Sequence, residues 1–254
     1  MQESSEVIKH SIKVFHSLKK LFPKDLYHLL SFHIFQLKNP GMKRPSLLKN
    51  IWLPKLLDKN FRTRFFISII ILSASLFSIA KFLAYNETRE GFSFNDPVLN
   101  LFTPVDLTWL TFVLIYASLI VALYSISFNP EIFITALQSY ALIMFLRLIT
   151  IYLLPLNAPT TIIPLTDPFV EFFGGGQTLY RDLFFSGHTA TMFLFYLTNQ
   201  NKKLRRIFFT ATIIVGVCVL IQHVHYTIDV LAAPFFTYTS YRIAVVINDW
   251  ASKK

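Results

Sequence analysis

The sequence is poor in charged residues, glycine and cysteine. Charged residues make up 15% of its 254 positions, whereas soluble domains carry roughly a quarter. Apolar residues make up 54%, and the mean hydropathy is +0.50. Seven glycines exclude a collagen-like chain, and a single cysteine, Cys218, excludes an intrachain disulfide framework and a cysteine-based metal site. The composition therefore predicts a membrane protein.

Positive charge is concentrated before the first long apolar run. The net charge is +10, and 13 of the 24 lysines and arginines lie within residues 1–64. This placement indicates lipid head groups and membrane topology rather than a nucleic-acid partner. Apolar residues recur at helical spacing between the lysines, so we predict one or two amphipathic surface helices in residues 1–64. The alternative is a cytoplasmic tail that only sets orientation and touches anionic lipid. The polar, acidic start argues against a signal peptide.

Six apolar segments follow this basic region. They cover residues 65–85, 107–128, 132–154, 183–199, 206–222 and 226–247. A helix needs about 20 residues to cross the hydrocarbon layer, and the last three segments are shorter or more polar than the others. We predict an all-α membrane protein with a six-helix transmembrane domain at 65–247 and a short basic tail at 248–254.

The charges of the loops predict the orientation of this bundle. Basic residues gather before the first segment, in the loop at 200–205 and at the C-terminus. The loops at 86–106 and 155–182 each contain one arginine and several acidic residues. Because basic loops stay in the cytoplasm, both termini are predicted to be cytoplasmic, and the two acidic loops are predicted to face the other side.

Three polar clusters interrupt the apolar segments, and the first centres on Arg147. Arg147 lies about seven residues from the outer end of the third segment, which corresponds to a depth of about 10 Å. A guanidinium at this depth either snorkels outward or faces the bundle interior and binds an anion, and we favour the second. Thr150 follows on the next turn of the same predicted helix.

The second cluster is the run DLFFSGHT at 182–189, where a loop meets the fourth segment. Ser186 is suited to capping the helix, and Gly187 permits close approach of the backbone. The free N–H groups of a helix N-terminus suit phosphate oxygens, and His188 follows directly. The tripeptide Ser-Gly-His is a weak signal when it stands alone.

The third cluster is HVHYTID at 223–229, at the start of the sixth segment. His225 and Asp229 are four residues apart, so on a helix they share a face and the carboxylate can orient the imidazole. This is half of an arrangement of a nucleophile and an orienting acid. We predict that the three clusters meet at the outer end of the bundle, because each lies near that end of its segment.

Taken together, these runs resemble the ordered motifs of the sphingomyelin synthase family. That family is a branch of the type-2 phosphatidic acid phosphatase superfamily. The matching runs are RLITIYLLPL at 147–156, DLFFSGHT at 182–189 and HVHYTIDV at 223–230, while DPVLNLFTPVD at 96–106 resembles a looser first motif. The resemblance covers roughly residues 95–235 and leaves the basic N-terminal region outside.

The resemblance implies a role for each matching residue. His225 would attack phosphorus to form a phosphohistidine, Asp229 would orient it, and His188 would protonate the departing alcohol and then deprotonate the incoming one. The resemblance further implies that Arg147 and four others, namely Ser186, Gly187, Tyr226 and Asp182, contact the phosphorylated substrate, while His223 and Thr150 support these groups. No metal and no other cofactor is expected.

Departures from the phosphatase pattern favour the synthase branch. That pattern has Pro before Ser-Gly-His, where this chain has Phe185, and Ser-Arg ahead of the second His, where this chain has Val219. We therefore predict transfer of a phospho-head group from a phospholipid to a lipid alcohol such as ceramide or diacylglycerol. Water as acceptor, giving a lipid phosphate phosphatase or phospholipase C-like hydrolase, stays open, as does a non-catalytic lipid binder or transporter.

The head group would be selected by residues of the outer loops. Candidate contacts are Tyr152, Asp167, Glu171 and Tyr180. The Gly174–Gly176 run is either an anion-binding nest or a flexible loop, and we favour the loop.

Overall fold

The computed structural model of the chain describes residues 47–165 and 179–251, and these residues are predominantly helical. They contain seven α-helices and a short 3-10 turn at Leu99–Leu101. The helices are α1 (Leu47–Leu57), α2 (Lys59–Asn86), α3 (Thr108–Ile126), α4 (Pro130–Leu153), α5 (Gly187–Thr198), α6 (Lys202–Ile221) and α7 (Thr227–Ala251). The predicted helices before residue 47 and the tail after residue 251 lie outside the described residues.

Polar side chains define where several of the helices begin. Asp58 accepts the backbone N–H groups of residues 60 and 61 at the start of α2. Asn129 caps α4, whose first residue is Pro130, and Asn201 caps α6 in the same way. Such caps satisfy N–H groups that lack a partner within the helix. The cap at Asp58 starts α2 before residue 65, so the predicted limit of the basic region falls inside this helix.

The long helices run alternately up and down, which brings three junctions to one end of the bundle. α4 packs against α2 and α7, and α5 packs against α6, α7 and α3. The end formed by the C-termini of α2, α4 and α6 also holds the N-termini of α3, α5 and α7. We call it the site end, and it contains all three predicted polar clusters.

The opposite end is held together by charged and amide side chains. Glu131 at the start of α4 pairs with Lys55 of α1 at 2.7 Å and with Arg64 of α2 at 3.2 Å. Asn248 of α7 accepts a hydrogen bond from Arg64 and donates one to Gln138 at 2.8 Å. These contacts fix the relative positions of α2, α4 and α7.

Among the described residues, five helices are long and apolar enough to cross a membrane: α2, α3, α4, α6 and α7. They support a multi-pass membrane protein. α5 occupies the fourth predicted segment but has only 12 residues. Twelve residues of α-helix span about 18 Å, less than the hydrocarbon thickness of about 30 Å. The prediction of six spanning helices is therefore not confirmed for α5.

The chain before α5 explains why this helix is short. Residues 181–186 run from the site end into the bundle without helical structure. Asn86 donates a hydrogen bond to the carbonyl of Arg181 at 2.8 Å, and Thr150 donates one to the carbonyl of Phe184 at 3.3 Å. The chain therefore descends alongside α2 and α4 before Ser186 starts the helix. Hydropathy assigns this descending segment to a spanning helix, but its residues Leu183 and Phe185 are buried in non-helical chain that precedes α5.

Candidate active site

An imidazole and a carboxylate form the buried centre of the site end. His225 Nδ1 lies 3.2 Å from Asp229 Oδ2, and the same oxygen accepts the backbone N–H of Tyr226 at 3.1 Å. Asp229 is 0% exposed and lies in the first turn of α7. When Nδ1 carries the proton, it donates to Asp229 and leaves the lone pair on Nε2 for attack on an electrophile.

A second imidazole faces this pair. The ring centroids of His188 and His225 are 6.4 Å apart, with the ring planes inclined at 62°. His188 lies in the first turn of α5, and the predicted cap is present because Ser186 Oγ accepts the N–H of Thr189 at 3.3 Å. The backbone N–H of Ser186 donates to the carbonyl of Asp229 at 3.0 Å. This bond joins the starts of α5 and α7, and with them the two histidines.

Arg147 faces the bundle interior. It is 6% exposed and forms an ion pair with Asp182 through Nη2. A Cβ atom at Gly187 would lie 2.8 Å from Arg147 Cζ. A side chain at residue 187 would therefore displace the guanidinium, which lies directly against the Cα of Gly187. The N-terminus of α5 and the positive charge of Arg147 thus adjoin the two histidines.

At this centre, Arg147 Nε and Asp229 Oδ1 are buried and have no hydrogen-bond partner among the described residues. A buried N–H of a charged group that lacks an acceptor carries a substantial desolvation cost. An anionic group bound beside Gly187 would provide the missing acceptor for Arg147. No cluster of three or more potential metal ligands occurs in residues 47–165 or 179–251.

The remaining predicted site residues lie around this centre rather than within it. The hydroxyl of Tyr226 donates to the carbonyl of Asn157 at 3.0 Å, and its ring stacks on Phe94. His223 forms a 2.5 Å hydrogen bond with the Thr161 hydroxyl through Nδ1. Burial lowers the pKa of His223 below its ordinary value. Thr150 connects the carbonyl of Arg147 to the segment before α5.

Several residues that support the site were not predicted from the sequence. Asp96 accepts hydrogen bonds from the backbone and the hydroxyl of Thr227, at 2.6 and 3.1 Å. Glu87 accepts the N–H groups of Tyr180 and Arg181 at 2.9 and 2.7 Å and so anchors the segment that leads to α5. Gln222 accepts the N–H of residue 107 at the start of α3. Each of these bonds joins chain segments far apart in sequence. The run at 96–106 resembles a looser family motif that includes Asp96, but it does not indicate that Asp96 bonds to Thr227.

Of the four candidate contacts to the head group, the structure describes two. Tyr152 and Tyr180 are 57% and 42% exposed at the site end. Asp167, Glu171 and the Gly174–Gly176 run lie outside the described residues.

A comparison with protein families gives one match. Residues 181–245, about a quarter of the chain, match the family model described as PAP2 superfamily C-terminal. The matched range contains His188, His225 and Asp229, and Arg147 lies before it. No curated protein matches the chain. The match supports the type-2 phosphatidic acid phosphatase superfamily, and so a membrane lipid phosphatase or phosphotransferase. It does not reach the level of the sphingomyelin synthase branch.

Proposed function

We propose that this chain is an integral-membrane lipid phosphotransferase of the sphingomyelin synthase kind. It would move a phosphorylated head group from a phospholipid donor to a lipid alcohol such as ceramide or diacylglycerol. The observation that carries this proposal is the buried pair of His225 and Asp229. The ring centroid of His225 lies 6.4 Å from that of His188, and Arg147 lies beside them. Two imidazoles with an orienting acid and a cation are the groups that phosphoryl transfer through a histidine requires.

In the first step, Nε2 of His225 attacks the phosphorus of the donor. The bond between phosphorus and the oxygen of the diacylglycerol breaks, and His188, in its protonated form, gives its proton to that oxygen. The head group stays on the phosphorus, which is now bonded to His225. Asp229 stabilises the positive charge that develops on the imidazole, and Arg147 neutralises the phosphate oxygens.

In the second step, the acceptor alcohol attacks the phosphohistidine. His188, now neutral, takes the proton of the attacking hydroxyl, and the bond between phosphorus and Nε2 of His225 breaks. The product leaves with the head group and His188 is again protonated, so the cycle closes without a metal or other cofactor.

The charges at the two ends of the bundle support an orientation for this reaction. Lys202, Lys203, Arg205 and Arg206 begin α6 at the end opposite the site, and Lys55 and Arg64 lie at that end too. Basic residues remain on the cytoplasmic side. We therefore propose that both termini are cytoplasmic and that the site faces the non-cytoplasmic leaflet.

Product analysis distinguishes transfer from hydrolysis. Purified protein in mixed micelles is given a labelled phospholipid donor, with and without ceramide or diacylglycerol, and the lipids are separated by chromatography. Transfer predicts a new labelled lipid that forms only when the acceptor is added. Release of free phosphate or phosphorylated head group, independent of acceptor, would instead support the hydrolase alternative, in which water attacks the same intermediate.

Variants of α7 separate an enzyme from a lipid binder or transporter on the same scaffold. Asp229→Asn should lower turnover by about 10²–10⁴-fold, because it removes the charge that orients and stabilises the imidazole. Asp249→Asn changes the same residue type at the opposite end of the same helix and should leave turnover unchanged. His225→Ala should eliminate the phosphorylated protein. Undiminished turnover in Asp229→Asn and His225→Ala would refute this mechanism.

A further inference from the structure

We propose that Asp96 is a positioning residue for the catalytic pair, and this inference rests on the proposed function. Asp96 lies in the loop between α2 and α3, and its carboxylate holds the first turn of α7 from outside that helix. It touches neither His225 nor the phosphate position. Its effect would pass through the backbone of Tyr226 and Thr227, which lie between His225 and Asp229.

The contact between Asp96 and α7 uses both carboxylate oxygens. Oδ2 accepts the backbone N–H of Thr227 at 2.6 Å, and Oδ1 accepts the Thr227 hydroxyl at 3.1 Å. Oδ1 also accepts the N–H of Val98 at 2.9 Å, which fixes the carboxylate to its own turn. Asp96 is 6% exposed. Hydrogen bonds to a charged acceptor are about twice as strong as neutral ones, so this contact is a firm one.

The loop between α2 and α3 also contacts Tyr226, the residue before Thr227. The ring of Phe94 stacks on Tyr226 with centroids 4.0 Å apart. The Tyr226 hydroxyl donates to the carbonyl of Asn157 at 3.0 Å, so the segment after α4 holds the far end of this side chain. Tyr226 and Thr227 are thus fixed from two separate loops.

This anchorage matters because one oxygen of Asp229 makes two contacts. Its Oδ2 accepts the N–H of Tyr226 and orients His225 Nδ1, and both bonds depend on the course of the backbone from 225 to 229. The N–H of Thr227 has Asp96 as its acceptor. Without Asp96, the N–H and the hydroxyl of Thr227 lose this charged partner. The first turn of α7 can then relax, and the angle between the imidazole and the carboxylate changes with it.

Measurements of kcat, KM and folding can distinguish a positioning role of Asp96 from a general role in folding. Misplacement of a catalytic group by about 1 Å costs about 10²-fold in rate. A positioning residue places the reacting imidazole and does not itself hold the lipid, so substrate binding should change little. The expected result is therefore a lower kcat at nearly constant KM, in protein that remains folded.

The experiment compares Asp96→Asn with Asp106→Asn in the full chain. Asp106 is a matched control because it lies in the same loop, is exposed, and accepts the N–H of Thr108 at 2.9 Å at the start of α3. Asp96→Asn should lower kcat about 10- to 100-fold per folded molecule with KM within about twofold, and Asp106→Asn should leave both unchanged. Hydrogen exchange of a peptide covering residues 224–231 should be faster in Asp96→Asn alone.

The outcomes separate this inference from the function on which it rests. If wild type turns over lipid and Asp96→Asn keeps the kcat of the Asp106→Asn control, the positioning role is wrong. If wild type turns over no phospholipid donor and forms no phosphohistidine, the proposed function fails. Faster exchange at 224–231 in Asp96→Asn would then still establish the anchorage, and unchanged exchange would overturn it. Thr227→Ser keeps both donors to Asp96, the backbone N–H and the hydroxyl, so its kcat and KM should equal those of wild type.

Discussion

Replacing Gly187 with alanine should disturb Arg147 without unfolding the protein. The new Cβ would meet Arg147 Nη1 first and would lie 2.8 Å from Cζ. Ordinary carbon contacts are about 3.5–4.0 Å, so the guanidinium must move by about 1 Å. It is the far end of a flexible side chain, and alanine favours the helix over glycine by about 0.5–1 kcal/mol. The free energy of unfolding should therefore change by less than about 1 kcal/mol.

The rate should respond far more than the stability. A shift of about 1 Å in a group that stabilises the transition state costs about 10²-fold. We expect turnover of Gly187→Ala to fall by about 10- to 100-fold in the micelle assay, while its thermal midpoint stays near that of wild type. The phosphate contact, rather than the fold, would then account for the loss.

A second glycine provides the control for this prediction. A Cβ at Gly216, inside α6, would lie 3.0 Å from the side chain of Val230 and 3.8 Å from that of Thr189, and none of its nearest neighbours belongs to Arg147. Gly216→Ala should therefore lower turnover much less than Gly187→Ala, since the new methyl group meets Val230 and Thr189 and leaves Arg147 undisturbed. Equal turnover of the two alanine variants would refute the assignment of Arg147 as the phosphate ligand.

Two further predictions concern orientation and pH. In a Cys218→Ser background, Thr160→Cys should react with an impermeant thiol reagent on intact cells, and Gln200→Cys only after permeabilisation; the reverse pattern would invert the proposed topology. Asp96 is partly desolvated, but its hydrogen bonds from Thr227 and Val98 hold its pKa below the ordinary value. A carboxyl with a lowered pKa stabilises the fold above its ordinary pKa, and this stability is lost as pH falls through the lowered value. The thermal midpoint of wild type should thus fall more steeply than that of Asp96→Asn as the pH falls below about 4, the ordinary pKa of an aspartate, and parallel curves would contradict this.

The five long helices of the fold are predictable from the sequence because each contains a long apolar run between polar segments. The predicted segments at 107–128 and 132–154 agree with α3 and α4 to within a few residues. α5 is the exception. Leu183 and Phe185 are 1% and 0% exposed, and hydropathy counts them as part of a spanning helix. Because Ser186 caps the helix after them, they are instead buried as a non-helical segment inside the bundle.

The site is predictable only as far as its residues lie close together in the chain. The spacing of His225 and Asp229 follows from helical geometry, and the cap at Ser186 from its side-chain chemistry. The burial of Arg147 against Gly187 requires knowledge of how α4 packs on α5, and composition contains no such information. The hydrogen bond from Thr227 to Asp96 joins residues 131 positions apart.

The unpredicted contacts share a physical cause. A helix that begins beneath the surface of a bundle exposes backbone N–H groups to a medium poor in water, and these groups must find acceptors. Ser186 satisfies this need within its own segment at α5. α7 begins at Thr227, and the acceptors for the N–H groups of Tyr226 and Thr227 are Asp229 and the distant Asp96. The first of these acceptors is also the residue that contacts His225 Nδ1, so the capping of α7 and the alignment of the proposed catalytic pair depend on the same carboxylate. Wherever the proposed chemistry is retained on this scaffold, an acceptor for the N–H of the residue at position 227 must be retained with it.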